Sequence, residues 1–276
     1  MSALRALVSF YTMFHLNITQ EDMDDMEKKF YLTPLVGLIF GALLIILCSV
    51  LIFLDHRLDF GNGFTTAVLV LLTVYAGSKF LHFDGLTDFG DGMIVSGQQS
   101  DHIRALKDTL VGAGGIGVAL ITVLCSVAFY TMYGNAAFII LVFPAVEVFV
   151  KNAMVFAASF GEPGNGMAAR QVSMTTPASA MKGLVVSIVA LAVLFAIGGL
   201  IMNISLDCPW DSMVRIMAVT LVIGLIVSSI VGVVMARTAN RVFGMVNGDI
   251  LGATNEVSRP FLVFFILLGI SILSVI

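Results

Sequence analysis

Residues 33–54 read TPLVGLIFGALLIILCSVLIFL, and no charged residue interrupts them. A helix rises ~1.5 Å per residue, so a run of this length matches the ~30 Å hydrocarbon core of a bilayer. Similar runs recur along the chain, and the pattern predicts seven spans, at 33–54, 64–81, 112–132, 135–158, 184–204, 213–236 and 260–276. Composition agrees: 59% of the 276 residues are hydrophobic, 12% are charged and the mean hydropathy is +1.03. Soluble domains carry roughly 25% charged residues. Backbone amides in lipid must be satisfied within the segment, so the spans are expected to be helices. The expected fold class is therefore all-α, a polytopic helical bundle forming one membrane-embedded domain over 1–276.

Residues 1–17 are apolar but interrupted by Arg5 and His15, so 1–32 reads as an interfacial or re-entrant segment. The first 30 residues lack the basic stretch and unbroken apolar core of a signal peptide, and 21–29 (EDMDDMEKK) is heavily charged. No internal repeat of the kind that builds many transporters is visible. A net charge of −4 argues against a nucleic-acid partner, which calls for a basic patch. Cys48 and Cys125 lie in predicted spans and Cys208 in a short loop, which argues against a disulfide framework.

Charge also predicts orientation, because Lys and Arg concentrate in cytoplasmic loops. With the N-terminus inside, Arg5, Lys28, Lys29, Lys79, Arg104, Lys107, Arg170, Lys182, Arg237, Arg241 and Arg259 fall on one side, against Arg57 and Arg215 on the other. That makes 82–111, 159–183 and 237–259 cytoplasmic loops of a multi-pass protein of the cell membrane.

The chemistry is expected in those loops. Residues 82–92 read HFDGLTDFGDG, with Asp84, Asp88 and Asp91 at i, i+4 and i+7. At ~3.6 residues per turn the three carboxylates fall within an arc of about 60°. Like charges so placed repel unless a cation sits among them, and oxygen ligands suit Mg²⁺ or Mn²⁺. A solvated acidic loop is the simpler reading of the same residues. His82 points away from the three Asp on a continuous helix. Residues 247–259 (NGDILGATNEVSR) add Asp249 and Glu256, again i and i+7, with Asn255 as a separate polar contact. Between them, Gly112, Gly114 and Gly117 follow Lys107 and Asp108. They match G-x-G-x-x-G in letters, but no strand precedes them, so close helix packing or phosphate contact at a helix N-terminus is expected instead of dinucleotide binding. Glu147 and Lys151, i and i+4 within the fourth span, are expected either to pair with each other or to face a polar cleft. His15, His56 and His102 show no partner pattern, and Trp210 suits an interfacial anchor.

Taken together, these segments resemble the cobalamin-5′-phosphate synthase family (adenosylcobinamide-GDP ribazoletransferase). The family pattern H-x-D-G-L-x-D-x-x-D-G is met by His82, Asp84, Gly85, Leu86, Asp88, Asp91 and Gly92. A basic-Asp pair before a glycine-rich stretch is met by Lys107, Asp108, Gly112, Gly114 and Gly115, and G-D-x-L-G-A-x-x-E by Gly248, Asp249, Leu251, Gly252, Ala253 and Glu256. Pro34 and Gly37 also fit, whereas Glu147 and Lys151 stand where relatives often carry an Arg. The resemblance spans about residues 1–260. It implies a Mg²⁺-dependent enzyme that moves adenosylcobinamide phosphate from adenosylcobinamide-GDP to α-ribazole or α-ribazole 5′-phosphate and releases GMP. It further implies Asp84, Asp88, Asp91, Asp249 and Glu256 as metal ligands. His82, Asp84, Asp88 and Asp91 are implied as catalytic groups, and Lys107, Asp108, Gly112, Gly114, Gly115, Asn255 and Glu256 as substrate contacts. The bilayer is the expected surrounding, and a homo-oligomer and other cobalamin-pathway enzymes are its conceivable partners. Two other readings stay open: another Mg²⁺-dependent membrane phosphotransferase, such as the CDP-alcohol type, and a metal-ion transporter.

Overall fold

The computed structural model describes residues 2–59, 61–133, 138–164, 166 and 168–275. It is built of helices: α1 (Ser2–Tyr11), α2 (Gln20–Lys28), α3 (Pro34–Leu58), α4 (Gly63–Gly77), α5 (Leu81–Ile94), α6 (Gln99–Leu106), α7 (Ala113–Tyr130), α8 (Ile139–Phe160), α9 (Ala169–Met174), α10 (Pro177–Leu206), α11 (Trp210–Val242) and α12 (Gly248–Val275).

Helix α8 is the axis. Every residue from Ile139 to Ser159 is buried, and α3, α10, α11 and α12 pack around it. Those outer helices bury one stripe each and leave Leu, Ile, Val and Phe exposed on the other face, as lipid-facing helices do. Six helical segments are long and apolar enough to cross a membrane: Phe30–Leu58, α7, α8, α10, α11 and Gly248–Leu273. The second expected span, 64–81, is shorter than its apolar pattern. Helix α4 stops at Gly77, and the chain turns by 95° into α5 through Lys79 and Phe80, both in the left-handed region at φ 55° and 57°. Gly63 lies against Thr131 at the end of α7, while the Gly77 carbonyl accepts the Met13 amide at 2.7 Å beside α1. Helix α4 therefore runs the depth of the bundle, and α5 leaves its axis to lie across the end.

Two helices extend into the loop expected at 237–259. The last helix begins at Gly248, well before the apolar run at 260, so 248–259 is helix instead of loop. Asn247 starts it: its Oδ1 accepts the Ile250 amide at 3.1 Å, in the manner of an N-cap. Helix α11 likewise continues to Val242, past 236. The first expected residues of the fourth span, 135–137, lie outside the described residues. The N-terminal segment forms α1 and α2 over the end of the bundle, with Ala6, Leu7, Met26 and Phe30 buried beneath them.

Candidate functional site

Two backbone approaches build the site. Helix α5 crosses the start of α12 at Gly85, where an added Cβ would stand 2.7 Å from the Asp249 carbonyl oxygen. On the other side it meets α7 at Gly115, where a Cβ would stand 2.6 Å from the Thr87 carbonyl oxygen. Only residues without a side chain let three helices come this close. Asp84, Asp88 and Asp91 are thereby set on one helix, with Asp249 delivered opposite by α12.

The four carboxylates do not share one environment. Asp91 is held by the α7 N-terminus: its oxygens accept the Gly112 and Gly115 amides at 2.6 and 2.8 Å. A carboxylate at the positive end of a helix satisfies amides that otherwise lack partners. This glycine-rich turn thus binds an anion, and the anion is the chain's own Asp91. Asp84 is exposed and lines a cavity of about 370 Å³ together with His82, Lys107 and Asp249. The Asn247 side-chain amide donates to Asp249 Oδ2 at 2.7 Å. Partial burial and the carboxylates of Asp249, Asp84 and Asp91 push the Asp88 carboxyl up from the usual carboxylate range to about 7. Asp108 is exposed, and its Oδ1 accepts the Leu110 amide at 3.0 Å.

The cavity is roofed by Phe10 and Tyr11 of α1, Met23, Met26 and Glu27 of α2, and Gln171 of α9. Arg5 binds Asp22 at 2.6 Å, and Arg170 reaches Asp24 at 3.0 Å and Glu27 at 3.2 Å, so ion pairs tie the roof helices together. A space of this size suits a nucleoside-sized ligand with most of its surface enclosed. Asp84 also borders an apolar groove of about 580 Å³ between Tyr75, Phe80, Phe83, Val111 and Leu120.

Glu256 and Asn255 sit apart from the acidic cluster. Both are buried, and Asn255 donates to Glu256 Oε1 at 2.8 Å while Arg259 Nη2 lies 3.5 Å from the same oxygen. Arg259 also contacts Glu147 directly, and Lys151 contacts His82 Nε2 at 2.6 Å and Asn255 Oδ1 at 2.8 Å. Glu147 and Lys151 therefore do not pair with each other; each finds its partner on another helix. Their carboxylate and ammonium are too deep to line a polar cleft, with no exposure at either side chain. Arg259, read from charge as a loop residue, is a fully buried partner in this network. Its signal in the sequence was the i, i+3 spacing from Glu256 directly before an apolar run. Tyr11, Glu27, Gln171 and Asn247 carried no such signal. His102, read as incidental, lies with its Nδ1 2.8 Å from the Gly92 carbonyl oxygen and packs α6 onto α5.

Among the described residues, no three His, Cys, Asp or Glu side chains converge closely enough to cage a metal by themselves. The ligand atoms that Asp84, Asp88 and Asp249 offer are carboxylate oxygens. That suits Mg²⁺, which is commonly bound through one or two carboxylates plus water and substrate phosphates rather than a full protein cage.

Comparison with known proteins adds the relatives. The family model for cobalamin-5-phosphate synthase matches residues 3–268. An adenosylcobinamide-GDP ribazoletransferase of Methanococcoides burtonii is 27% identical, covering 98% of this chain and 93% of its own length. Those of Methanosarcina barkeri (26%; 98% and 94%) and Methanocella arvoryzae (28%; 94% and 92%) are similar to the same extent. No solved structure matches. With residues 3–268 of its 276 matched, this chain belongs to the cobalamin-5-phosphate synthase family.

Proposed function

We propose that this protein transfers adenosylcobinamide phosphate from adenosylcobinamide-GDP to α-ribazole or α-ribazole 5′-phosphate, releasing GMP, on the cytoplasmic side of the membrane. The observation that carries the reading is the set of carboxylates from α5 and α12 gathered at a nucleoside-sized cavity beside Lys107. Asp84 and Asp249 at the edge of the cavity, with Asp88 close enough to feel both, outweigh Lys107, the cation lining it, and make a site short of positive charge. Asp84, Asp88 and Asp249 would hold Mg²⁺, while Asp91 keeps the α7 N-terminus in place behind them. Bound there, the ion supplies charge neutralisation at the diphosphate and at the transition state.

The residues themselves do the rest. A ribose hydroxyl of the acceptor attacks the phosphorus on the corrinoid side, the bond to the GMP phosphate breaks, and the hydroxyl proton passes to a carboxylate of the cluster. Lys107 is placed to bind phosphate oxygens opposite the acids, and the α1–α2 roof excludes water from the enclosed ligand. The basic residues of this end of the bundle, Lys28, Lys29, Lys107, Arg170 and Arg241 among them, support a cytoplasmic position.

The test is GMP release by protein purified in detergent, supplied with adenosylcobinamide-GDP, α-ribazole and Mg²⁺, with EDTA as control. Metal-dependent GMP together with a cobalamin product is expected, and its loss in Asp84→Asn and Asp249→Asn. Undiminished turnover in both variants would remove the cluster from the reaction. Absence of any product from folded, Mg²⁺-supplied protein would remove the reaction itself.

A further inference from the structure

Behind the cavity lies a second set of ionisable groups that transfer chemistry does not by itself require. Glu147, Lys151, Glu256 and Arg259 are all buried at 0–1% exposure, with Asn255 and His82 among them. Glu147, Glu256 and Arg259 leave one negative charge unbalanced at this depth, and Lys151 carried as an ammonium cancels it, against the cost of its own burial. An ammonium has three donors and no acceptor. Its 2.6 Å contact with His82 therefore makes Nε2 the acceptor and leaves the imidazole proton on Nδ1. Asn255 is oriented by the same logic: its Oδ1 accepts from Lys151 at 2.8 Å, and its Nδ2 donates to Glu256 at 2.8 Å. A line of contacts thus runs from Glu147 through Arg259, Glu256, Asn255 and Lys151 to His82, the one member that lines the cavity next to Asp84. Tyr11 stacks on the His82 ring at 5.5 Å and 21°, which fixes the ring plane from the roof side.

We propose that Lys151 is a positioning residue: it locks His82 as the Nδ1–H tautomer, so that His82 offers a fixed hydrogen-bond donor to a phosphoryl oxygen in the cavity and is not the base for the attacking hydroxyl. This rests on reading the cavity as a phosphoryl-transfer site. A donor held before the substrate arrives needs no reorganisation when charge develops on the phosphate.

The tautomer is read directly from ¹⁵N spectra of histidine-labelled protein, with the His82 signals assigned by their loss in His82→Asn. The expected wild-type pattern is a protonated Nδ1 and an unprotonated Nε2. Lys151→Met combined with Glu147→Gln keeps the network neutral and should shift His82 to the Nε2–H form or a mixture. In GMP release, His82→Leu removes the donor and should cost about a hundredfold in kcat, whereas His82→Asn, whose amide N–H stands near the Nδ1–H position, should stay within about tenfold of wild type. The Lys151→Met/Glu147→Gln protein should lose kcat with KM unchanged. An Nε2–H tautomer in the wild type, or one unchanged in the double variant, overturns the positioning role whether or not the protein turns over substrate. His82→Asn as inactive as His82→Leu overturns the donor role. Absence of turnover in wild-type protein that shows the expected tautomer would instead fault the assigned reaction, which keeps the two failures apart.

Discussion

Gly85→Ala isolates the helix crossing on which the acidic cluster depends. The added Cβ would stand 2.7 Å from the Asp249 carbonyl oxygen and 2.9 Å from its Cα. Ordinary Cβ contacts begin near 3.4 Å, so α5 and α12 must part by about 0.7 Å, because both obstructing atoms are backbone and neither can rotate away. Alanine favours the helix by about 0.5–1 kcal/mol over glycine. Overpacking at a close crossing costs about 1–3 kcal/mol, which outweighs that gain, so the variant should be less stable by about 1 kcal/mol. The larger effect is expected in catalysis. Parting the helices moves Asp84 and Asp88 away from Asp249, and a misplacement approaching 1 Å at a reacting centre reduces rate by about 10- to 100-fold. Gly117→Ala is the internal control, since nothing lies within 4 Å of the position its Cβ would occupy. The assay is kcat/KM for GMP release alongside thermal unfolding in the same detergent. Gly85→Ala within twofold of wild type, or Gly117→Ala equally impaired, would refute the reasoning.

Other perturbations separate roles within the site. Asp91→Ala removes the acceptor for two α7 amides and should lower stability by about 1–2 kcal/mol, measured by thermal unfolding, whereas Asp84→Ala, exposed in the cavity, should leave stability nearly unchanged. Equal stability losses would show that Asp91 does not cap α7. Glu147→Ala leaves the buried Arg259 with only its longer contact to Glu256 and should destabilise the protein by about 3 kcal/mol, while adding Arg259→Met should recover much of it; two independent losses in that cycle would deny their coupling. Because the Asp88 carboxyl is raised to about 7, it holds its proton at pH 6 and must release it to bind Mg²⁺. Mg²⁺ affinity should rise with pH by about fivefold between 6 and 7, reach about tenfold by pH 8 and level off above it, with proton release seen by calorimetry in buffers of different ionisation enthalpy. Affinity that does not change with pH would take Asp88 out of the ligand set.

Much of this molecule was legible from pattern alone. Uninterrupted apolar runs marked the spans, because lipid leaves the backbone no alternative to the helix. The i, i+4, i+7 spacing placed Asp84, Asp88 and Asp91 on one face of what is indeed a continuous helix. Periodicity also turned His82 away from that face, and it points toward Lys151. The limits are equally physical. Helix α12 begins ahead of the apolar run because most of 250–259, Thr254, Asn255, Glu256 and Arg259 among them, is buried in protein and need not be apolar, a condition that hydropathy does not record. Glu256 shares a nominal face with Asp249, yet two turns of helix carry it into the bundle, where Arg259 and Asn255 engage it. Asp91 differs from Asp84 only by what α7 places beside it, a contact across more than twenty residues that no local spacing encodes.

The complete enclosure of α8 also bears on how the chain is made. A helix that enters the bilayer with Glu147 and Lys151 near its middle carries about 2.5–3.5 kcal/mol of penalty for each charge on the insertion scale. The partner of Glu147 lies 112 residues downstream, on α12. Until that last helix is synthesised and docked, α8 is exposed to lipid on faces it will later hide, with its ionisable groups unmatched. Helix α8 thus reaches its final surroundings only once α12 has docked against it. A ribosome stalled between α8 and α12 would leave a nascent bundle bearing exposed intramembrane charge, the kind of feature that membrane quality-control proteases can read.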